Sequence, residues 1–364
     1  MCSWWYGIGA PPTAADVRFA ARHYEVVVLN AWETAALREL HRLNPRIKVL
    51  VYKDLSSTRN YPGTVDDGVD AHRLPTGLGY QAVQRTHPEW FAVDTAGRRI
   101  EWADYPQHWQ MAVWFPGYQR AWTAAVTAEV VAEGWDGVLA DNDFHTLHWY
   151  SDAVLAHTAD QAGTDRLLRR GLQSLLKTAG PALRRAGKVL VPNISESHLA
   201  AQRWRRHSRF GGGMEENFAL RTDNGLVTFK GTEWREMRAG AASGRPWQLL
   251  MTRSAEEGQQ RVGYAAAALL AGRRTCWATS STEDYSRPGW SRYQDLRLGV
   301  PRTAAVRERS GAWTRRFTRG WAAVNPTNVA VRVRAPMGMV TVDGRRVRGL
   351  VRIPAFDGLV LLAR

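Results

Sequence analysis

Hydrolysis of a glycosidic bond needs two carboxyl groups on opposite sides of one sugar, one to protonate the leaving oxygen and one to attack or stabilise the anomeric carbon. Three short apolar runs of this chain end in, or hold, groups of that kind. GWDGVLADND, Gly134 to Asp143, runs Val138, Leu139 and Ala140 into Asp141, Asn142 and Asp143. KVLVPNI, Lys188 to Ile194, leaves through Asn193, Ser195 and Glu196, and FGGGMEENF, Phe210 to Phe218, carries Glu215 and Glu216 in a setting where acids and glycines are poor strand formers. The expected assignment is Asp141 as the ionised nucleophile or stabiliser, in a polar loop with Asn142, Asp143 and His145. Glu216 is then the desolvated, protonated general acid. One glutamate of the Glu215-Glu216 pair is expected to meet an arginine on a neighbouring helix. The bland reading of Asp141 or Asp143 is a cap on the following loop.

Around that pair, Asp143, Glu215, Glu196, Asn193, His145, Asp54 and Tyr6 are the expected sugar-contacting polar residues. Glu283 and Asp284 are weaker acid candidates. Glu256 and Glu257 are set aside, because Ser254 with Glu257 has the spacing of a capping box. Of the 17 tryptophans, Trp32, Trp102, Trp109, Trp114, Trp149, Trp277 and Trp290 fall in loops or at strand ends, where indole faces can stack on sugars; Trp32, Trp109 and Trp114 are the chosen platforms. Trp122, Trp135, Trp204 and Trp247 are read as core. His145 and His148 beside Asp-x-Asp suggest a metal, yet no cysteine or further histidine completes a spaced ligand set, so neither metal nor cofactor is expected. Asp-x-Asp also occurs as a nucleotide-sugar clamp, on a different, open fold.

These residues need strands to carry them. Strand-like runs at Trp4 to Ile8, Glu25 to Trp32, Ile47 to Leu55, the Val138 stretch, Lys188 to Ile194, Phe210 to Phe218, Pro246 to Thr252 and Thr275 to Ser280 alternate with helical patterns. Eight strands with intervening helices in about 300 residues predict a (β/α)8 barrel, an α/β fold whose chemistry sits at the carboxyl ends of the strands. An open doubly wound sheet is disfavoured, because no glycine fingerprint follows the first strand. The long stretch Ser56 to Pro116 is expected to be a functional loop. After Pro301, short runs split by Asn-Pro, Asp-Gly and Gly turns predict a small antiparallel, sandwich-like β domain over 305–364, behind a barrel over 1–304.

Composition narrows the partners. Hydrophobic residues make up 45% and charged residues 23% of 364, which excludes a disordered chain, and no apolar run approaches the length of a membrane span. The N-terminus carries no signal core, so the chain reads as cytoplasmic as given, or as exported if a leader was trimmed, with Cys2 then a remnant lipoprotein anchor. Cys276, the other cysteine, lies in a predicted strand, and no disulfide framework is expected. The net charge of +15 comes from 44 Arg and 5 Lys, and 13 of those Arg fall between Arg302 and Arg364 against Glu308, Asp343 and Asp357. An anionic envelope polymer is the expected partner of that basic tail. Specific nucleic-acid binding is not expected, because the tail lacks a ladder of stacking aromatics.

Four segments, HPEWFAVDTAGRRIEW, GWDGVLADND, GGMEENF and WAAVNPT, together resemble the hypothetical glycosyl hydrolase family 15 group. The resemblance spans most of the chain, including the β tail. It implies a barrel hydrolase acting on a microbial oligo- or polysaccharide, with Asp141 and Glu216 at the matching catalytic positions. The rival class is a barrel that binds carbohydrate without cleaving it.

Overall fold

A computed structural model describes residues 1–280 and 285–364; the acid candidates Glu283 and Asp284 lie outside the described residues. Eight parallel strands close a barrel: β1 (Cys2–Gly7), β2 (Val26–Leu29), β3 (Lys48–Asp54), β4 (Gly137–Asp143), β5 (Val189–Ile194), β6 (Gly212–Glu215), β7 (Trp247–Arg253) and β8 (Thr275–Ser280). Each strand pairs with its successor, and β8 returns to β1. Besides a short helix, Tyr80–Thr86, in the long connection after β3, the helices between them are α1 (Ala14–His23), α2 (Thr34–Leu43), α3 (Pro116–Glu133), α4 (Gln161–Arg185), α5 (Arg203–His207), α6 (Glu233–Ser243) and α7 (Glu257–Leu270).

Local chemistry sets these limits. Thr13 and Asp16 close a capping box on α1, whereas α3 begins with Pro116 and stops at Gly134 in the left-handed region, a conformation that glycine adopts without a Cβ clash. β2 reads VVVL and is buried on both faces, as a strand between barrel interior and helix layer must be. The glycines of the sixth strand have a packing reason. A Cβ on Gly211 would come within 2.8 Å of the Leu190 nitrogen, and one on Gly212 within 2.6 Å of the Trp247 carbonyl oxygen, so larger residues would push β5 and β7 away.

Inside the barrel, Trp4, Leu50, Leu139, Val191, Met214 and Leu249 belong to one buried cluster. That packed floor closes the barrel beneath the carboxyl ends of the strands. Between β3 and α3 the chain makes a three-stranded antiparallel sheet from Ser57–Arg59, Glu101–Trp102 and Tyr105–Gln110. The expected functional loop is therefore an ordered small sheet beside the mouth.

From Val306 onward the strands are antiparallel and form a six-stranded sheet and a separate two-stranded sheet, Val331–Arg334 against Leu350–Ile353. One face of the larger sheet places Ala322, Val324 and Val360 in the same core as Val262, Ala265 and Leu269 of α7. Its other face packs Trp321 and Leu361 on Val331, Val333 and Ile353 of the smaller sheet. Helix α7 is thus covered on both sides, which accounts for its run of alanines and leucines. Among the described residues no helix is long and apolar enough to cross a membrane.

Two expectations are corrected. Cys2 and Cys276 are register partners on β1 and β8, their Cα atoms 4.2 Å apart, and form a disulfide. Adjacency in the closed barrel, invisible in a separation of 274 residues, brings them together. Helix α7 has no side-chain cap from Ser254, and Glu257 instead faces Arg292 at 3.1 Å.

The disulfide ties the first barrel strand to the last. In the chain-entropy picture a loop of this length stabilises the fold by about 5 kcal/mol. Reduction, or Cys276→Ser, is expected to lower the melting temperature by about 7 °C. Calorimetric scans with and without reductant check this, and identical melts would show that the bond does not form.

Candidate active site

Strand alternation decides which side chains reach the mouth. The buried interior residues Trp4, Leu50, Leu139, Val191, Met214 and Met251 point inward. The residues two further along, Tyr6, Tyr52, Asp141, Asn193, Glu216 and Arg253, share that parity and stand at the carboxyl ends of their strands.

Asn193 is the centre of the group. Its Nδ2 donates to Asp141 Oδ1 at 2.9 Å and to Glu216 Oε2 at 2.9 Å. Two oxygens each 2.9 Å from one nitrogen lie no further apart than twice that distance, 5.8 Å. The other carboxylate oxygens are also bound. Tyr52 donates its hydroxyl to Asp141 Oδ2 at 2.7 Å and accepts from Arg59 Nη2 at 3.1 Å. Tyr285 donates to Glu216 Oε1, and Arg253 Nη1 lies 3.7 Å from that oxygen. Tyr6 packs between Tyr52 and Tyr285, with ring centroids 6.4 and 5.0 Å away.

Other expected site residues take different places. Asp54 is fully buried and accepts from Ser56 and Ser57 amides, the Ser57 hydroxyl, Asn142 and Arg59. It organises the floor through Arg59, with no oxygen left for a sugar. Asp143 should share the parity of Asp141, but Asn142 adopts φ 62° and the β4–β5 register shifts there. The bulge turns the Asp143 carboxylate away, and it is buried between Arg203 Nη2 at 2.9 Å and His207 Nδ1 at 2.6 Å. The charges of Arg203 and His207 and their hydrogen bonds outweigh its burial and hold that carboxyl below its usual range.

Glu215, of opposite parity to Glu216, faces the helix layer. It meets no arginine there; its partner is Glu233 of α6, also fully buried. Burial pushes the Glu215 carboxyl up, and burial with the Glu215 charge pushes Glu233 well up. The expectations of Asp143 and Glu215 as sugar ligands are therefore corrected; of the glutamate pair it is Glu216 that meets an arginine, Arg253, which comes from a strand and not from a helix.

Glu196 lies in the loop after β5 with φ 56°, its carboxyl held by the Trp149 indole and raised by burial. His145, on the loop after β4, is pushed by burial and by Arg169 and Arg203 to about 4, so it is a neutral imidazole. Trp32 and Trp149 are 43% and 61% exposed and can offer indole faces. Trp109 binds Asn60 Oδ1 at 2.8 Å in the loop sheet. Trp114 is partly buried and packs against the core shared by the barrel strands and helices. Trp102 and Trp277, expected near the face, are buried, Trp277 donating to Thr252; Trp290 is half-buried and packs on Phe19, His23 and Tyr24 of the α1 region. Of the expected core tryptophans, Trp122, Trp135 and Trp204 are fully buried, Trp247 partly.

Sequence reasoning missed Tyr52, Arg59, Arg253 and Tyr285. Parity would have found Tyr52 and Arg253, each two residues beyond an inward apolar residue. The loop residues carry no such signal.

Electrostatically, burial, then the charge of Glu216, then that of Asp54 push Asp141 from the usual 3.8 to about 6, against the hydrogen bonds of Tyr52 and Asn193. Because the shift is upward, the fold disfavours the ionised form. Below 3.8 the carboxyl is neutral folded and unfolded and costs nothing; the cost grows between 3.8 and 6 and is complete above 6. Asp141→Asn is expected to stabilise the protein at pH 8, on the order of 2 kcal/mol, and to have little effect near pH 3.5. Denaturant melts at the two pH values check this; an equal effect at both would remove the electrostatic explanation.

No protein curated for function matches the chain. Among solved structures it is similar to the cycloalternan-forming enzyme from Listeria monocytogenes in complex with a pentasaccharide substrate, at 10% identity and a TM-score of 0.54 over 100% of this chain and 41% of that one. The cycloalternan-degrading enzyme from Trueperella pyogenes gives 13% and 0.51, over 100% and 62%. The glycoside hydrolase domain of PelA from Pseudomonas aeruginosa gives 14% and 0.48, over 79% and 98%. At such identities the likeness is one of fold. The sequence model of one family matches residues 41–321, well over half of the chain, and so places it by descent as well as by shape: the chain belongs to the hypothetical glycosyl hydrolase family 15.

Proposed function

We propose that the protein hydrolyses a glycosidic bond with retention of anomeric configuration, Asp141 acting as nucleophile and Glu216 as acid and base. The observation that carries this reading is the Asn193 amide shared by both acids. Retaining pairs stand about 5–5.5 Å apart, while inverting pairs need about 6.5 Å or more to admit a water between carboxylate and sugar. A ceiling of 5.8 Å between the two bridged oxygens, twice 2.9 Å, supports the shorter class.

Role follows from access and from proton direction. The Tyr52 hydroxyl accepts from Arg59, so its single proton is directed to Asp141, and that acid is held as an acceptor aimed at the anomeric carbon. The Glu216 side chain keeps 24% exposure, and a group that must meet first a leaving oxygen and then a water belongs on the open side. Two acids this close ionise as a pair, and the working form carries one proton between them. A leaving oxygen beside Glu216 draws that proton there, freeing Asp141 to attack.

The substrate we propose is a microbial oligo- or polysaccharide cut within the chain, with Trp32 and Trp149 as stacking faces beyond the cleaved sugar. Export fits this reading, because the Cys2–Cys276 bond forms most readily in an oxidising compartment. For the basic tail we retain an anionic envelope polymer as partner: Arg332 and Arg352 stand directly opposite on paired strands, a repulsion that a bound polyanion would relieve.

Screening bacterial wall and capsular glycans for new reducing ends, followed by NMR of the product anomer, tests the reaction. Asp141→Asn and Glu216→Gln are each expected to lower kcat by about 10³-fold or more without unfolding the protein. An inverted first-formed anomer would reject the proposed geometry, and no cleavage across the panel would favour a binding protein.

A pH profile gives a separate check. Loss of the shared proton leaves two carboxylates, so kcat/KM is expected to fall as pH rises through about 6, the value to which Asp141 is pushed. A profile flat between pH 5 and 8 contradicts the shared-proton form.

A further inference from the structure

At the other end of the barrel, where the strands begin, a cleft of about 600 Å³ opens between the end of α4, α5 and α6. Its rim carries Arg184, Lys188, Arg205, Arg209, Arg245 and Arg274. Glu236 is the one acid lining it, and both of its oxygens are occupied, Oε1 by the Gln202 amide and the Thr232 hydroxyl, Oε2 by the Arg205 amide. Among the described residues no carboxylate pairs with any of the six cations. Their hydrogen bonds go to neutral carbonyls: Arg184 to Arg209, Lys188 to Trp135 and Arg274 to Arg245. Six positive charges against one engaged negative charge leave +5 on a single concave surface, a third of the net +15 of the whole chain. The floor is apolar, formed by Val189, Phe210, Ala239 and Pro246.

We propose that this cleft is an anion-binding site for a segment of acidic polysaccharide, separate from the mouth that holds Asp141 and Glu216. Guanidinium groups bind carboxylates and other oxyanions through paired hydrogen bonds, and an apolar floor suits the flat faces of sugar rings between the charges. The volume is that of a small-ligand site and takes a few sugar units. A nucleic acid is a poorer occupant, since Phe210 is buried and Trp247 is covered by Arg274 at 5.6 Å, which leaves no free ring for base stacking. A membrane surface is poorer still, because none of the exposed large hydrophobic residues lines the cleft. Bound here, a charged polymer would hold the protein on its matrix while the opposite face stays open, raising the local concentration of chain at the mouth. The site does not depend on the chemistry proposed for the two acids.

The test is calorimetric or fluorescence binding of the full chain to oligogalacturonate, with neutral dextran oligomers and a single-stranded DNA oligonucleotide of matched charge as comparison probes. Wild type and Asp141→Asn are expected to bind oligogalacturonate alike, with an affinity that falls steeply with salt, and to ignore dextran. Arg205→Glu/Arg209→Glu/Arg245→Glu is expected to lose at least about tenfold in affinity, one bidentate contact alone being worth about that much. The milder Arg205→Gln/Arg209→Gln/Arg245→Gln gives a smaller loss in the same direction should the reversal unfold. Arg22→Glu/Arg38→Glu/Arg46→Glu, exposed around α1 and α2 and outside the cleft, is expected to leave this affinity unchanged. The proposal is overturned if the Gln variant binds as wild type does, if the loss appears equally in the α1–α2 variant, or if DNA binds more tightly than the glycan.

Discussion

Two carboxyl groups held within reach of one amide repel each other, and the mouth of this barrel is arranged around containing that repulsion. Asp141, Asn193 and Glu216 stand on three successive strands, β4, β5 and β6. Neighbouring strands are about 4.8 Å apart, so the outer two would sit roughly 10 Å from each other if their side chains rose straight. They converge instead over Asn193, whose two amide protons are divided between them. Tyr52, Tyr285 and Arg253 occupy the remaining oxygens, and Arg59 orients Tyr52 while tied to buried Asp54. Remove the amide and neither the spacing nor the sharing of a proton is maintained.

That arrangement requires a rigid frame, and the frame is closed twice. Hydrogen bonding joins β8 to β1, and the disulfide joins the same two strands covalently. The C-terminal sheet then shields α7, which has too few polar residues to face water on either side. Close packing at Gly211 and Gly212 draws β6 between β5 and β7, which sets the height at which Glu216 emerges. A second acid pair, Glu215 with Glu233, is buried immediately behind it. Glu215 anchors the turn of chain that carries Glu216, its Oε1 accepting the Asn217 amide at 3.0 Å.

Charge is distributed along the barrel axis. The acids of the mouth stand at the carboxyl ends of the strands, and a cluster of uncompensated arginines stands at the amino ends. A chain at +15 must place its cations somewhere, but solvation alone does not gather six of them around one concave, apolar floor. The polarity gives the two ends of one barrel different affinities.

Much of this was legible from the order of residues. The alternation of apolar runs with helical patterns identifies eight strands, Thr13 and Asp16 announce α1, and the turns after Pro301 announce the antiparallel sheets. Those signals are local, set by period and by caps, so they survive without knowledge of neighbours. Parity also separates Glu215 from Glu216, a signal that the expectation of Glu215 as a sugar ligand overlooked. What the order of residues could not decide is what happens across strands. The bulge at Asn142 reverses Asp143, and nothing in DND announces it. Cys2 meets Cys276 only because the sheet closes, and Glu233 meets Glu215 only because α6 crosses behind β6. The pKa of Asp141 belongs to the same class: a carboxyl's proton affinity is set by burial and by charges a few ångströms away, and those neighbours come from β3 and β6, distant in sequence and adjacent only in the folded barrel.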